Sequence, residues 1–344
     1  MNTIAFFNNE HNVDKTSLIY HVTYMLGELG HRVLMIDLDS QTSLAARFFK
    51  IEKLHEIYER DTQDRPTIIR AVQHLNQEKS IPQSPFIHKL SHKIGVIAAD
   101  PELALFEDKF SDSWSKRYDT GFKNTILLYD IIKEASDRFK ADYTIINLST
   151  EFSAINRAAF MAIKNLILPV SANVFSLSNI QNIGKRIKLW NEEKLKLLDN
   201  KDYNQKYFNL STWLGYVFMQ HAIRESIPPG PFTDWGNRVP LYFQRDVMEL
   251  ENPSKDPLFL LSTIRHYHGL HIMSTEFRKP IFLLKPADGA IGSHVDAARI
   301  AYKECKTLTE NIIKQIDIYL MFRTQNSKKN IKCKTVNNFY RVIE

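Results

Sequence analysis

Short apolar runs recur along the first two thirds of the chain, and each has the length of a β-strand. Most are continuous rather than alternating, a pattern typical of parallel strands that are covered on both faces. The predicted strands span 3–7, 32–38, 94–98, 143–148, 165–170 and 213–219. Segments with helical spacing or with clusters of polar turn formers separate these runs.

Apolar residues between the predicted strands repeat with the period of an α-helix. In the first such segment they fall at Leu18, Val22, Met25, Leu26 and Leu29. Gly30 stands where a helix C-terminal glycine belongs. Further helices are predicted over 121–139, 153–164, 175–196 and 290–321. This alternation of strands and helices predicts an α/β fold with a doubly wound, mostly parallel sheet.

We predict one domain over residues 1–322, with insertions at about 50–92 and 220–256. Residues 323–344 follow as a basic C-terminal tail. The tail has six basic residues and one acidic residue, so it carries +5 of the formal net charge of +6. The rest of the chain is therefore nearly neutral, and the tail is the part that favours an acidic partner.

Composition excludes several classes of protein. Hydrophobic residues make up 44% and charged residues 24%, which is ordinary for a globular protein and unlike a disordered chain. Two cysteines make neither a zinc cluster nor a disulfide framework, so we expect a reducing compartment. No run reaches the about 18 apolar residues that a membrane-spanning helix needs. The first residues lack the features of a secretory signal.

A polar loop lies between the first strand and the first helix, at residues 8–14. The helix that follows begins Lys15-Thr16-Ser17. A strand, a polar loop and a helix that starts with lysine and a hydroxyl residue are the parts of a phosphate-binding loop, because the helix N-terminus offers free N–H groups to an anion. The alternative is that Lys15 and Thr16 simply begin a helix.

Several segments together resemble the ParA/MinD class of deviant Walker-A ATPases, whose loop reads KGGxGKT[ST] and whose second strand ends in DxDPQ. The aligned segments here are 10–17 (EHNVDKTS) and 37–41 (DLDSQ). The later segments that fit a long-form ParA-like subgroup are 154–160, 167–184, 215–221 and 278–295. The resemblance covers the chain to about residue 320 and implies a P-loop NTPase-like fold.

The resemblance also implies roles for individual residues. The nucleotide-binding set it implies is Asn12, Val13, Asp14, Lys15, Thr16, Ser17, Pro286 and Asp288. Thr16 would hold Mg²⁺, with Asn147 as a weak metal-side residue, and Asp39 would position or activate the attacking water. The implied cofactors are ATP and Mg²⁺. The implied partners are a second copy of the chain, non-specific DNA and a ParB-like or other protein. The implied location is the bacterial cytoplasm, with association to the nucleoid.

The loop departs from the family pattern at every glycine. His11, Asn12 and Asp14 replace them, and glycine is scarce in the whole chain, with 11 in 344 residues. Glu10 stands at the place of the signature lysine that reaches ATP across the family's dimer. A carboxylate about 4 Å from a phosphate costs on the order of 4 kcal/mol at an effective dielectric near 20.

A further departure is at the end of the predicted strand 143–148, where Asn147 replaces a metal-side aspartate. Because Mg²⁺ prefers anionic oxygen ligands, this weakens the expected metal site. We therefore expect a ParA-like nucleotide-binding protein with weakened or lost ATP hydrolysis. The alternative is a non-hydrolysing ParA-fold module that regulates, or that binds a partner or DNA.

Two other segments carry alternatives. Residues 265–271 (RHYHGLH) form a histidine cluster, for which a helix end is a better interpretation than a metal site because no carboxylate lies among them. For Pro286 and Asp288 a structural turn is a better interpretation than a nucleotide contact, and Asp288 could cap the predicted helix through 291–303. Asp39 could likewise cap the helix that follows it.

Basic residues near the C-terminus are the candidate DNA contacts, because lysine neutralises phosphates without reading sequence. The predicted contacts are Lys328, Lys329, Lys332 and Lys334. A basic helical stretch with Lys185, Arg186 and Lys188 could join them, or could be a solvated face. The tail lacks the sustained apolar face of a membrane-binding helix, so we expect no membrane contact.

Overall fold

A computed structural model of the chain describes residues 1–10, 13–73, 84–115, 123–198, 211–219 and 231–328. Within these ranges eight strands form one sheet, in the order β3-β4-β2-β5-β1-β6-β7-β8. Neighbouring strands are parallel except for β3, which runs antiparallel to β4. The strands are β1 (Asn2–Phe6), β2 (Val33–Asp37), β3 (His88–Lys89), β4 (Ile94–Ile97), β5 (Tyr143–Asn147), β6 (Asn165–Ser171), β7 (Thr212–Met219) and β8 (Leu260–Ile264).

The six predicted strands are confirmed, each within one or two residues of its expected ends. The sequence did not predict β3 and β8, the two edge strands. β3 has only two residues. β8 reads LLSTI, and only two of its five residues are buried, so it lacks the apolar run that marked the inner strands.

Helices cover both faces of the sheet. The longest are α1 (Lys15–Glu28), α6 (Lys123–Phe139), α8 (Val174–Leu198) and α12 (Ser293–Lys328). The shorter ones are α2 (Ala45–Phe48), α3 (Ile51–Tyr58), α4 (Ile69–Val72), α5 (Glu107–Ser115), α7 (Ala154–Phe160), α9 (Pro231–Gly236), α10 (Val239–Tyr242) and α11 (Gly269–Phe277). Gly30 ends the first helix with φ +100°, as the sequence predicted.

Two predicted helices differ in length from the observed ones. The expected helix over 153–164 ends at Phe160, because Ala162 and Ile163 turn into the strand that follows. The helix expected to end at 321 continues to Lys328, inside the segment predicted as a tail. Of the predicted insertions, 50–92 contains α3, α4 and β3, and 220–256 lies outside the described residues before Pro231. The division into a domain and a tail stays a prediction.

Two layers of core enclose the sheet. On one face, buried residues of α5, α6, α7 and α8 pack on the strands. On the other face, α1 and the middle of α12 pack with α2 and α3. Adjacent residues of β1 point to opposite layers, Ala5 to the first and Ile4 and Phe6 to the second. This double burial is the physical reason for the continuous apolar runs. No helix in the described ranges combines the length and apolar character needed to cross a bilayer.

Gly184 on α8 lies against the backbone of a short π-helix, Phe243–Val247, which continues from α10. A Cβ at this position would lie 2.0 Å from the carbonyl oxygen of Asp246, far inside van der Waals contact. The close approach lets α8 and the π-helix share one layer of the core.

We expect Gly184→Ala to lower the free energy of unfolding by about 2 kcal/mol, because backbone must move to admit the methyl group. Gly269→Ala is the matched control, since nothing lies within 4 Å of a Cβ there. Urea unfolding of both variants measures the difference. Equal stability of the two variants would contradict the close packing.

Candidate functional site

The loop after β1 bends into α1 at Asp14, which adopts a left-handed conformation with φ +50° and ψ +37°. Asparagine and aspartate tolerate this geometry better than most residues, so the bend forms without glycine. Val13 is fully buried and anchors the loop in the core. Thr16 is half-buried and Ser17 is buried at the start of the helix. Asn12, like His11, lies outside the described residues.

Lys15, the first residue of α1, points its side chain into the protein. Its Nζ donates to the carbonyl oxygen of Leu148, directly after β5. Burial lowers the pKa of Lys15 to about 8, and the carboxylates of Asp39 and Asp37 oppose this shift. The lysine therefore stands at the carboxyl edge of the sheet with two aspartates near it. Anions bind at this edge in doubly wound folds.

Asp37 and Asn147 end neighbouring strands and are paired in register. Asn147 donates from Nδ2 to Asp37 Oδ1 at 2.8 Å, and both side chains are fully buried. Asp37 Oδ2 and Asn147 Oδ1 have no hydrogen-bond partner in the part of the chain that the structure describes. Burial raises the pKa of Asp37 to about 7. Unpaired buried oxygens are costly, and a bound cation or its water would satisfy them.

Asp39 lies in the turn that follows β2. Its backbone N–H donates to Asp37 Oδ1 at 3.1 Å, and its own Oδ1 accepts from the backbone N–H of Gln41 at 3.1 Å. The next helix, α2, begins only at Ala45, so Asp39 closes a turn and does not cap that helix. The side chain is buried beside Lys15 and Asp37.

Glu10, at the place of the family's signature lysine, turns back into its own chain. Its Oε1 accepts from Ser171 Oγ at 3.0 Å and from Asn173 Nδ2 at 2.5 Å, and its Oε2 accepts from Ser176 Oγ at 3.0 Å. We call this group of four residues the Glu10 clamp. It ties the loop after β1 to the end of β6 and the first turn of α8, where the helix N-terminus favours negative charge.

Asp14 has two partners across the loop. The guanidinium Nη2 of Arg47 lies 3.7 Å from Asp14 Oδ1, and His271 Nδ1 lies 3.8 Å from Asp14 Oδ2. Arg47, on α2, carries no motif that sequence reasoning could have used. Only the fold brings it near Asp14, because the chain returns to the loop after the turn at Asp39.

A cleft opens between the start of α1 and the segment after β8. Its lining residues are Val13, Asp14, Ser17, Leu18, His21, Met219, Ile264, Arg265, His266, Tyr267, His271, Ile281, Ala301 and Cys305. The space inside it is about 30 Å³, enough for about two water molecules.

Pro286 and Asp288, predicted for the nucleotide pocket, do not line this cleft. They form a short 3-10 helix, Pro286–Asp288, in which Asp288 accepts from the backbone N–H of Lys285 and from Lys279 Nζ. The structural turn expected at these two residues is therefore confirmed. The prediction that Asp288 caps the following helix was wrong, because α12 begins only at Ser293.

The histidine cluster 265–271 is a helix end, as the sequence favoured, because α11 begins at Gly269. Throughout the described ranges no group of three or more histidine, cysteine, aspartate or glutamate side chains could hold a metal ion. Of the basic residues, Lys188 pairs with Glu249 and Arg186 lies over the Phe152 ring. Lys328 is the last residue of α12, and Lys329, Lys332 and Lys334 lie outside the described residues.

His21 joins α1 to the segment behind the cleft. Its Nδ1–H donates to the carbonyl oxygen of Ser17 at 2.7 Å, and its Nε2 accepts from the backbone N–H of Ile281 at 3.0 Å. This tautomer satisfies both ring nitrogens of a neutral imidazole. Burial lowers the pKa of His21 to about 3.

We expect this histidine to make the protein less stable in acid. The unfolded chain binds a proton at His21 below about pH 6.5 and the folded chain does not, so the free energy of unfolding falls as pH decreases from about 6.5 towards 3. His21→Leu should lower stability by about 1–3 kcal/mol at pH 7.5, because the Ile281 N–H loses its acceptor.

At pH 5 the gap between His21→Leu and wild type should be smaller. Urea unfolding at the two pH values measures the gap, with the exposed His92→Gln as control. A gap that is the same at both pH values would contradict a buried neutral imidazole.

Comparison of the sequence with known protein families identifies the family of this chain. The sequence profile of the AAA domain family matches residues 1–200, more than half of the chain. An uncharacterized protein of Methanocaldococcus jannaschii is 23% identical over 228 residues, which cover 66% of this chain and 76% of that protein.

Solved structures share the fold at low sequence identity. A protein from Corynebacterium diphtheriae superposes with a TM-score of 0.64 at 20% identity, over 81% of this chain and 97% of the other. An ATP complex of a Cyanothece McdA variant gives 0.61 at 12% identity, over 92% and 96%. A ParA from pNOB8, solved with nonspecific DNA, gives 0.52 at 14% identity, over 92% and 98%.

The eight-stranded sheet, the loop before α1 and these neighbours agree with the resemblance seen in the sequence. The chain belongs to the AAA domain family and has the P-loop fold of the ParA/MinD type.

Proposed function

We propose that this protein is a ParA-like nucleotide-binding protein that binds ATP at the loop before α1 and hydrolyses it slowly or not at all. The observation that carries the proposal is the position of Lys15. It begins a helix of 14 residues at the carboxyl edge of the sheet, with Asp37 and Asp39 beside it. In P-loop proteins a lysine at the start of this helix binds phosphate.

The phosphate groups would lie on the free N–H groups of the loop. Asn12, Val13, Asp14, Lys15, Thr16 and Ser17 are the residues we assign to this cradle. Binding requires the Lys15 ammonium to leave the carbonyl oxygen of Leu148 and turn to the β- and γ-phosphates. A pKa lowered only to about 8 leaves Lys15 mostly protonated at pH 7.

The buried pair Asp37 and Asn147 fits a magnesium ion. The unpaired oxygens Asp37 Oδ2 and Asn147 Oδ1 are of the type that binds Mg²⁺ or accepts hydrogen bonds from its water molecules, and both residues are fully buried. Bound Mg²⁺ would neutralise phosphate charge. Thr16 would hold the ion with its hydroxyl. Asn147 lacks the charge of the family's aspartate, and Asp37 supplies a carboxylate one strand away.

Slow hydrolysis follows from what the remaining residues do. Asp39, proposed to orient the attacking water, has one carboxylate oxygen engaged by Gln41. Glu10 is held inside its own chain, so position 10 brings no positive charge to the nucleotide of a second copy. Both features reduce the electrostatic stabilisation on which phosphoryl transfer depends.

The Glu10 clamp also favours a second candidate, a non-hydrolysing module that regulates another protein or binds a partner. In either case we propose a homodimer and contact with non-specific DNA through the basic segment that holds Lys328, Lys329, Lys332 and Lys334. The pNOB8 ParA solved with nonspecific DNA supports the DNA contact by fold. A ParB-like protein is the partner class that the family resemblance implies.

Titration calorimetry with ATP, with and without Mg²⁺, tests the binding step. We expect wild type to bind and Lys15→Ala to bind at least about tenfold more weakly, because the variant loses a charge-assisted contact to phosphate. Lys303→Ala, an exposed position on α12, is the matched control. Absence of binding by wild type would remove the nucleotide from the proposal.

Phosphate release at saturating ATP and Mg²⁺ tests the chemical step separately. The expected rate is close to that of Lys15→Ala. A fast rate that Lys15→Ala abolishes would contradict slow hydrolysis while leaving nucleotide binding intact.

A further inference from the structure

Asp14 places a carboxylate where the family has a glycine, directly before the lysine that binds phosphate. An isolated negative charge here would repel an anionic ligand. Its side chain is 34% exposed, so solvent screens part of this charge but does not remove it. An ATP-binding loop of this sequence therefore needs a positive charge that a loop with glycine does not need.

Two titratable groups face Asp14 from the elements packed against the loop. One is His271 on α11, whose pKa burial lowers to about 4, so it is neutral at pH 7. The other is Arg47 on α2, which presents a guanidinium cation. Lys15, the neighbour in sequence, is directed to the carbonyl oxygen of Leu148.

Arg47 also has donors to spare. Its Nη2 lies 3.7 Å from Asp14, beyond a direct hydrogen bond, and its Nη1 is buried with no hydrogen-bond partner within the described ranges. The side chain is 19% exposed. A buried guanidinium nitrogen without a partner is uncommon and costly, and an anion is the ligand it favours.

The helix that carries Arg47 packs against α1. α2 has Ala45 and Phe48 buried, and Phe48 packs against the rings of Tyr20 and Tyr24 of α1 at centroid distances of 5.0 and 6.0 Å. The backbone that carries Arg47 is thus held against the helix whose N-terminus follows the loop. Packed side chains hold a binding group better than a free loop does.

We propose that Arg47 neutralises the carboxylate of Asp14 and contacts the phosphate groups of a nucleoside triphosphate at the loop. The pair restores the local charge that a glycine loop has with its lysine alone. This inference rests on the proposed nucleotide binding and adds a residue that no motif of the loop contains.

A double-mutant cycle in ATP affinity tests the pairing. The variants are Arg47→Met, which keeps the aliphatic stem, Asp14→Asn, which suits the left-handed backbone, and the combination of both. Arg47→Lys keeps the charge, and Arg299→Met, an exposed position on α12, is the control. The probe is ATP without Mg²⁺, repeated with pyrophosphate, and thermal unfolding checks that each variant is folded.

We expect Arg47→Met to weaken ATP and pyrophosphate binding by about tenfold and Arg47→Lys to lose less than about threefold. Asp14→Asn should bind more tightly than wild type. In the Asp14→Asn background, Arg47→Met should cost less than in wild type, because part of its role is to offset Asp14. Arg299→Met should bind as wild type does.

The outcomes separate this inference from the proposed function. If wild type binds ATP and Arg47→Met binds equally well, Arg47 is not a phosphate contact and the proposed function stands. An equal loss in both backgrounds would overturn the pairing with Asp14. If wild type does not bind but Asp14→Asn does, Arg47 fails to offset the carboxylate. If no variant binds ATP or pyrophosphate, the proposed function itself is wrong.

Discussion

The carboxylate of Glu10, held by the side chains of Ser171, Asn173 and Ser176, is the interaction on which the loop depends. In a glycine-rich phosphate loop, backbone freedom lets the main chain approach the ligand. Here the hydrogen bonds of the Glu10 side chain hold one end of the loop. The left-handed backbone of Asp14 forms the bend at the other end. Both ends of the loop are thus held by contacts and backbone geometry within one chain.

Charge balance governs the rest of the site. Lys15, Asp37 and Asp39 are all buried at one edge of the sheet, and their burial shifts the pKa of Lys15 down and that of Asp37 up. Burial thereby draws Lys15 and Asp37 towards their neutral forms, and a bound polyanion with a divalent cation would oppose both shifts. The proposed slow turnover rests on Asn147, which lacks the charge of an aspartate, and on Glu10, which stands in place of a lysine.

The inner sheet was predictable because both of its faces are buried, which leaves continuous apolar runs such as 143–148. The edge strand Leu260–Ile264 was not, because three of its five residues are only half-buried and such a strand needs no continuous apolar run. At the site, Lys15 and Thr16 were found from their place after a strand. Arg47 and the Glu10 clamp were not, because their contacts join residues that are far apart in the sequence and meet only in the folded protein. Asp288 was misplaced because a proline turn preceded the helix it was expected to cap.

One variant separates a loop held by its own carboxylate from a loop that has merely lost a family residue. Glu10→Lys restores the lysine of the family pattern but gives Ser171, Asn173 and Ser176 a donor where they need an acceptor. We predict that this variant has a lower midpoint of thermal unfolding than wild type and binds ATP more weakly. A Glu10→Lys protein that is as stable as wild type and binds ATP more tightly would contradict it.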